Sequence, residues 1–297
     1  MNNAYKFCTL CARRCGVDRT RNVGFCGMPD GAYISRAALH MWEEPIISGA
    51  RGSGTVFFSG CSLKCCFCQN REISRGRVGE LVSAHELAQI MLKLESDGAH
   101  NVNFVTPTHY IPTVREAIIN AKALGLSVPI VYNTSSYDTP EALKTLDGLV
   151  DIYLPDFKYF TCKTAEQLSS ARDYPDVARL AIAEMVRQTG SAVLGDDGML
   201  ARGTVVRILL LPGHVAESKL VLKYLYDTYG DSIYISLMNQ YTPPRDMAAP
   251  LNRTVTHEEY RQLTDYALKL GVKNAFVQEF GTASESFIPD FDLARQK

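Results

Sequence analysis

The stretch CSLKCCFC, residues 61–68, follows an apolar run at residues 55–59 and a single glycine. The apolar run predicts a β-strand, and the glycine predicts a turn directly after it. Three of the cysteines have the spacing C-x3-C-x2-C, which places three thiols on one tight loop: Cys61, Cys65 and Cys68. Cys66 does not fit this spacing, so we expect no ligand role for it.

Three thiols on one loop favour an iron–sulfur cluster with one open coordination site. A four-iron cluster held by four cysteines is coordinatively closed and transfers electrons, whereas three cysteines leave one iron free to bind a second molecule. The alternative is a tetrahedral zinc loop, because C-x2-C pairs are common in zinc sites.

The spacing, together with its position after a first strand, resembles the signature of the radical S-adenosylmethionine (SAM) superfamily. The resemblance implies a [4Fe-4S] cluster on Cys61, Cys65 and Cys68 whose open iron chelates the amino and carboxylate groups of SAM. It also implies reductive cleavage of SAM to a 5'-deoxyadenosyl radical, which abstracts a hydrogen atom. Phe67, just before the last cysteine, is then expected to border the adenine.

Composition sets broad limits on what the protein does. The chain has 297 residues, 46% of them hydrophobic, and a formal charge of -1 at pH 7. It is long enough for one large domain, and its charge balance gives no reason to expect nucleic acid or a membrane as partner. The N-terminus lacks an apolar signal core, and no run reaches the roughly 20 apolar residues that span a membrane. Nine cysteines fit metal binding in a reducing compartment, so we expect a cytoplasmic protein.

A second group of cysteines lies near the N-terminus. Four cysteines within nineteen residues, with glycines between them, make a complete ligand set for a closed metal site: Cys8, Cys11, Cys15 and Cys26. A segment this short cannot form its own core, so a metal would contribute its folding energy. The spacing leaves zinc and iron both open. A similar motif accompanies some proteins that resemble glycyl-radical activases.

Apolar strands alternate with helical patterns from residue 54 onward, which predicts an α/β fold of six parallel βαβ units. One long helical region is expected at about 162–189, and the sequence DDG at 196–198 predicts a hairpin turn. Periodicity alone also permits an open, doubly wound sheet, but the resemblance implies a partial (β/α)6 barrel. We divide the chain into a Cys-rich metal-binding segment at 1–30, a connector at 31–53, a radical SAM core at 54–280 and a tail at 281–297.

Polar residues at the predicted strand ends are candidates for binding SAM, because ligands of parallel α/β folds gather at the C-terminal strand ends. Many superfamily members have a Gly-Gly-Glu-like turn after the second strand, and this chain departs from that pattern. The candidates after the second and third strands are Thr106, Thr108, His109, Asn133 and Thr134.

The fourth and fifth strands supply charged candidates. Asp156 and Lys158 resemble the family's Asp-x-Lys motif, and residues two apart on an extended segment point the same way. Arg207 lies inside an apolar run, where a charge is costly unless it is paired. Its partner is either the SAM carboxylate, as the resemblance implies, or an acid such as Asp156. His214 follows that strand and is a further candidate for SAM or substrate.

Residues 54 to about 280 are most similar to the pyruvate formate-lyase activating enzyme-like branch of the superfamily. The resemblance implies an oxidoreductase that receives an electron from a low-potential donor of the flavodoxin or ferredoxin type. Its substrate is either a glycyl-radical enzyme, or another protein, a peptide or a small molecule. A non-catalytic electron carrier or metal sensor is the alternative from a different functional class, and it predicts a cluster that never cleaves SAM.

Overall fold

The computed structural model describes residues 3–76 and 78–279, which form one ten-stranded sheet. The chain enters this sheet as an antiparallel pair, β1 (Ala32–His40) and β2 (Ser53–Phe58), and β3 (Glu80–Val82) pairs with the other edge of β1. The remaining strands are β4 (Val102–Val105), β5 (Ile130–Thr134), β6 (Ile152–Pro155), β7 (Val193–Leu194), β8 (Leu200–Leu209), β9 (Tyr234–Met238) and β10 (Ala275–Val277). β3 and β7 pair antiparallel with β1 and β8, whereas β2, β4, β5, β6, β8, β9 and β10 pair with one another in parallel.

Helices connect the parallel strands, as the alternating pattern predicts. They are α1 (Pro45–Ser48), α2 (Arg71–Arg75), α3 (Ala84–Ser96), α4 (Ile111–Ala123), α5 (Pro140–Lys144), α6 (Cys162–Ser169), α7 (Tyr174–Thr189), α8 (Val215–Tyr229) and α9 (His257–Leu270). Capping boxes fix the starts of α3 and α9, where the hydroxyls of Ser83 and Thr256 accept from the backbone three residues on. The long helical region expected at about 162–189 consists of two helices, α6 and α7, because Ser170 adopts a left-handed φ of 48° that ends α6.

The long helices pack on one face of the parallel strands. On β5, Ile130 and Tyr132 join the core formed with α3 and α4, while Val131 belongs to a separate cluster on the opposite face. On β8, Val206 packs with the core of α7, α8 and α9, while Val205 faces the other way. A doubly wound sheet has helices on both faces, so this one-sided arrangement confirms the partial barrel. The sheet order ends at β3 and β10, and the described strands do not close into a ring.

Residues 31–53, expected to be a connector, instead contain β1 and the short helix α1. Ile47 of α1 is fully buried against Val131, Ile152, Leu154 and Val205 on the inner face of the sheet. Along the chain these strand residues precede the cavity-lining residues Asn133, Asp156 and Arg207, so α1 fills the lower part of the barrel interior, beneath the cavity. The space left above it opens toward the C-terminal strand ends.

The Cys-rich segment packs directly on the barrel. The guanidinium of Arg13 donates to the carbonyl of Ser62 at 3.0 Å and to that of Ser169 at 2.9 Å. Cys26 and Met28 join the same hydrophobic core as β2, β4 and β5. This segment therefore shares the core of the barrel, as its short length predicts. The expected tail, together with residue 280, lies outside the described residues.

Candidate active site

The cysteine loop after β2 places three thiols in one cavity. Cys61, Cys65 and Cys68 line a space of about 220 Å³ at the C-terminal ends of the strands, whereas Cys66 does not line it. Gly60 allows the chain to turn here, because its φ of 82° favours glycine and a Cβ at this position would collide with the side chain of Met28. The three cysteines that line the cavity are thus the same three that the C-x3-C-x2-C spacing selects, and Cys66 is left out by both criteria.

Burial makes the thiols of Cys61 and Cys68 poor anions in the absence of a positive charge. Desolvation, followed by the neighbouring Cys65 and Cys68 thiols, raises the pKa of Cys61 to about 12. Burial also raises the pKa of Cys68, although the Lys158 ammonium opposes that shift. Buried thiols with raised pKa values ionise readily only when a cationic group binds them, which is the behaviour of metal ligands.

A network of buried charges lies beside the thiols. The Lys158 ammonium is 2.7 Å from Oδ2 of Asp156, and Nε of Arg207 is 3.0 Å from Oδ1 of the same carboxylate. Arg207 also contacts Glu43 at 3.1 Å and donates to Oδ1 of Asn133 at 2.6 Å. Burial alone would raise the pKa of Asp156, but Lys158 and Arg207 outweigh it and hold the pKa below its usual range. Asp156 is therefore ionised.

Aromatic rings form the apolar side of the cavity. Phe67 is 4% exposed, and its ring centroid lies 6.1 Å from that of Tyr241 and 6.3 Å from that of Tyr159. Phe67 and Tyr241 both line the cavity. An apolar wall next to charged groups excludes water and strengthens the electrostatic interactions inside.

The SAM-binding candidates predicted after the second and third strands fall into two groups, those that line the cavity and those that do not. Thr106 lines the cavity in a left-handed conformation with φ of 60°, and Asn133 and Thr134 line it from β5. Thr108 is buried away from the cavity, with its hydroxyl 3.4 Å from that of Thr134. His109 does not line the cavity either, and its Nε2–H donates to the carbonyl of Ser59 at 2.8 Å.

The two histidine candidates occupy structural positions in this arrangement. Burial, and then the nearby Arg19 cation, lowers the pKa of His109 to about 3, so its ring is neutral. His214 does not line the cavity, and its Nδ1–H donates to the carbonyl of Pro212 at 2.8 Å. Seven of the ten SAM-binding candidates therefore meet in one cavity: Phe67, Thr106, Asn133, Thr134, Asp156, Lys158 and Arg207.

Sequence reasoning missed the contribution of the segment between β1 and β2. His40, Trp42, Glu43 and Glu44 all line the cavity. Glu43 and Glu44 are consecutive acids directly before Pro45, in a chain stretch that also holds the single tryptophan. The alternation of β1 could have identified a strand here, and the adjacent acid pair could then have been placed at its end.

The site is defined by a loop with three thiols that follows the first parallel strand of a partial barrel. A buried ionic network lies beside this loop. The family model of the Radical SAM superfamily matches residues 55–225, which hold the cysteine loop and most of the barrel. The chain belongs to the radical SAM superfamily.

Individual proteins resemble this chain in sequence or in fold. The chain is 29% identical over 279 residues to an uncharacterized protein of Methanocaldococcus jannaschii, covering 90% of this chain and 76% of that protein. A radical SAM methyltransferase from Sphaerobacter thermophilus has a similar fold, with a TM-score of 0.51 and 16% identity, covering 75% of this chain and 66% of that one. SuiB of Streptococcus suis bound to its precursor peptide SuiA gives a TM-score of 0.50 and 12% identity, covering 75% of this chain and 47% of that one. The chain thus spans about half to two thirds of these solved structures.

Radical SAM proteins use a [4Fe-4S] cluster and SAM, and the residues of the cavity fit both. The cavity offers three thiols but not a fourth, so a cluster held here has an iron without a protein ligand. Lys158 and Arg207 offer cations for a carboxylate, and Asp156 offers an acceptor for hydroxyl or ammonium groups. Among the described residues, no three His, Cys, Asp or Glu side chains are close enough to share one metal ion, at this loop or among the N-terminal cysteines.

The N-terminal cysteines surround a buried arginine. Arg19 is fully buried, and its guanidinium lies 3.7 Å from the thiol of Cys8 and donates to the carbonyl of His109 at 2.5 Å. A Cβ on Gly24 would lie 3.4 Å from Sγ of Cys15 and 3.5 Å from Sγ of Cys26. These contacts bring the thiols near one cation, and metal binding by this group stays a prediction.

No helix in the part of the chain that the structure describes is long and apolar enough to cross a membrane.

Proposed function

We propose that this radical SAM protein is an oxidoreductase that cleaves SAM reductively and abstracts hydrogen from a glycyl-radical enzyme, in the pyruvate formate-lyase activating enzyme-like branch. The observation that carries the radical chemistry is the shared cavity. It joins Cys61, Cys65 and Cys68 to the network of Asp156, Lys158 and Arg207 within one enclosed space. This combination supports the binding of a polar ligand such as SAM beside three thiols that can hold a metal cluster.

The side chains divide the work of binding and shielding. When bound, the cluster supplies the electron that cleaves SAM, and SAM supplies the radical. Lys158 and Arg207 bind the carboxylate of SAM by charge-assisted hydrogen bonds, and Asp156 keeps both cations in place. Asn133, Thr134 and Thr106 line the same space with hydrogen-bonding groups, and Phe67 with Tyr241 excludes water.

Modification of another protein, a peptide or a small molecule is the second candidate. It is favoured by the similarity in fold to SuiB, which was solved bound to a precursor peptide. The glycyl-radical activase is favoured by the motif order from the cysteine loop to Asp156 and Lys158, together with the N-terminal cysteines. A carrier or sensor that never cleaves SAM is the third candidate.

The deciding experiment is an anaerobic assay for 5'-deoxyadenosine after cluster reconstitution, with SAM and dithionite. We expect product from the wild type and from Cys66→Ala, and at least a hundred-fold less from Cys65→Ala. Cys66 is a matched control, because it is the next residue on the same loop but does not line the cavity. A wild type with a four-iron cluster and no product would overturn the enzymatic proposal. Product without a glycyl radical on any partner would favour the second candidate.

The remaining proposals concern partners and the second metal. We propose a low-potential flavodoxin or ferredoxin as electron donor, and a reducing, cytoplasmic setting, in which the nine free cysteines are stable. Cys8, Cys11, Cys15 and Cys26 are proposed to bind zinc or iron. The buried cation of Arg19 supports an anionic site there, because it has a thiol within reach and lies in a segment that depends on the barrel for its core.

A further inference from the structure

Glu44 is a buried carboxyl group that the proposed SAM chemistry does not use. Its side chain lines the cavity, and the residue is only 7% exposed. Oε2 is buried and makes no hydrogen bond within the described structure. Buried polar atoms are nearly always paired in folded proteins, so an unpaired carboxyl oxygen on a residue that lines a cavity points to a group that binds there.

The charges of the cavity do not balance without such a group. Its carboxyl groups are Glu43, Glu44 and Asp156, and its cations are Lys158 and Arg207. Both cations are engaged by Asp156, and Arg207 also by Glu43. His40 adds no charge, because burial, and then Arg36 and Arg207, lowers its pKa to about 4. One negative charge is therefore left over when all three carboxyl groups are ionised.

Without a ligand, a proton bound to one of the carboxyl groups compensates the excess negative charge. Burial raises the pKa of Glu44, with Arg207 opposing and Glu43 reinforcing the shift, and burial raises the pKa of Glu43 as well. A buried acid held neutral in this way is ready to exchange its proton for another positive charge.

Glu44 lies on a different segment of the chain from the three thiols. It is the residue before α1, whose Ile47 fills the lower part of the barrel. On the proposed function, SAM occupies the upper part between the cysteine loop and Lys158. Glu43 and Glu44 then lie at the floor of the remaining space. Glu43 is held there by a hydrogen bond that it accepts from Nδ2 of Asn103 at 3.0 Å.

We propose that Glu44, supported by Glu43, binds a positively charged group of the substrate, an ammonium or a guanidinium, at the floor of the cavity. This inference rests on the proposed function, since it assumes that SAM occupies the upper part. The other source of the same chemistry is the ammonium of SAM itself. If the cation belongs to the substrate, the affinity for the substrate depends on Glu44. If it is the ammonium of SAM, the affinity for SAM depends on Glu44.

The test is calorimetric binding to the reconstituted full-length protein under anaerobic conditions, with SAM present. The probes are n-butylguanidinium and n-butylammonium, and the neutral control is N-butylurea, which has the shape of the guanidinium without its charge. The variants are Glu44→Gln, which is isosteric, and Glu116→Gln, which removes an exposed acid of α4 as a matched control. Titration with SAM alone is measured for each protein.

We expect the wild type to bind at least one cationic probe about ten-fold more tightly than the neutral probe. Glu44→Gln is expected to remove this preference and to leave the SAM affinity within two-fold, while Glu116→Gln changes neither. A loss of SAM affinity in Glu44→Gln would assign the carboxyl to SAM and overturn the proposal. Equal binding of charged and neutral probes by the wild type, or no binding of either, would also overturn it, even if the variant failed to fold. Failure of the proposed function itself is recognised separately, by the absence of 5'-deoxyadenosine.

Discussion

Asp156 and Arg207 are joined across two neighbouring parallel strands, with 3.0 Å between Oδ1 and Nε. Arg207 is also 3.1 Å from Glu43, so one cation neutralises two buried acids. Replacing Arg207 with Met leaves Glu43 without its cation and Asp156 with Lys158 as its remaining partner. We expect a loss of about 3–5 kcal/mol in the free energy of unfolding, measured by urea titration. SAM affinity should fall more than ten-fold.

The matched control for this variant is Arg172→Met. Arg172 pairs with Glu166 at 2.8 Å, but its side chain is 73% exposed. Because exposed pairs are screened by water, we expect no measurable change in the unfolding midpoint. If both variants behaved alike, burial of the Arg207 network would have no energetic role.

Ile47 provides a test of the helix that fills the barrel. It is completely buried among strand residues such as Val131 and Val205. Ile47→Ala should therefore destabilise the protein by about 2–4 kcal/mol, through lost burial and a residual cavity. Urea unfolding measures the change. Ile119→Ala, at a position that is 40% exposed on α4, should cost much less, and equal losses would contradict a filled interior.

Glu259 makes a pH-dependent contribution to stability. Its bond to Arg253, reinforced by the backbone of Thr256 and Gly213 and opposed by partial burial, lowers the pKa of the carboxyl to about 2. A depressed folded-state pKa stabilises the fold above the unfolded-state pKa of about 4.5, and the contribution disappears as pH falls through about 2. Glu259→Gln should thus be less stable than the wild type by about 1 kcal/mol at pH 7, after allowance for solvent screening.

Thermal melts at pH 7, 4 and 2.5 measure that difference for Glu259→Gln. The gap between variant and wild type should narrow at the lowest pH. Glu258→Gln, on the same turn of α9 but 57% exposed, is the control and should show no comparable gap. A gap for Glu259→Gln that stayed constant with pH would mean that its charge is not involved.

Metal analysis distinguishes the two cysteine groups. A protein with Cys61, Cys65 and Cys68 all changed to Ala should retain the N-terminal zinc or iron, at about one site per chain. Changing Cys8 and Cys26 to Ser should remove that metal, whereas Cys162→Ser should not. Elemental analysis of anaerobically purified protein gives the counts. Metal-free protein in the first variant would contradict the N-terminal site.

The sequence predicts the barrel well because its signals are local. The capping box of Ser83 and Glu86 and the apolar strands at 102–105 and 130–134 each depend on near neighbours in the chain. Asp156 and Lys158 were placed correctly relative to each other because alternation along a strand has a fixed period.

What the sequence did not predict depends on contacts between distant residues. Glu43 contacts Arg207 although the two residues are 164 positions apart in the sequence, and no local sequence pattern predicts such a contact. The break at Ser170 was missed because helical periodicity continues on both sides of it. Thr108 and His109 turn away from the cavity, since Thr106 adopts a left-handed φ that only the folded backbone reveals.

The short connection that carries Glu43, Glu44 and Ile47 sets two properties of the cavity at once, its depth and the charge at its base. It lies on a different part of the chain from the cysteine loop. Alterations to this one hairpin connection that keep Glu43, the partner of Arg207, therefore offer a route to new specificity without changing the cysteine loop. Exchanging it between related proteins is a direct way to redesign which molecules the barrel accepts.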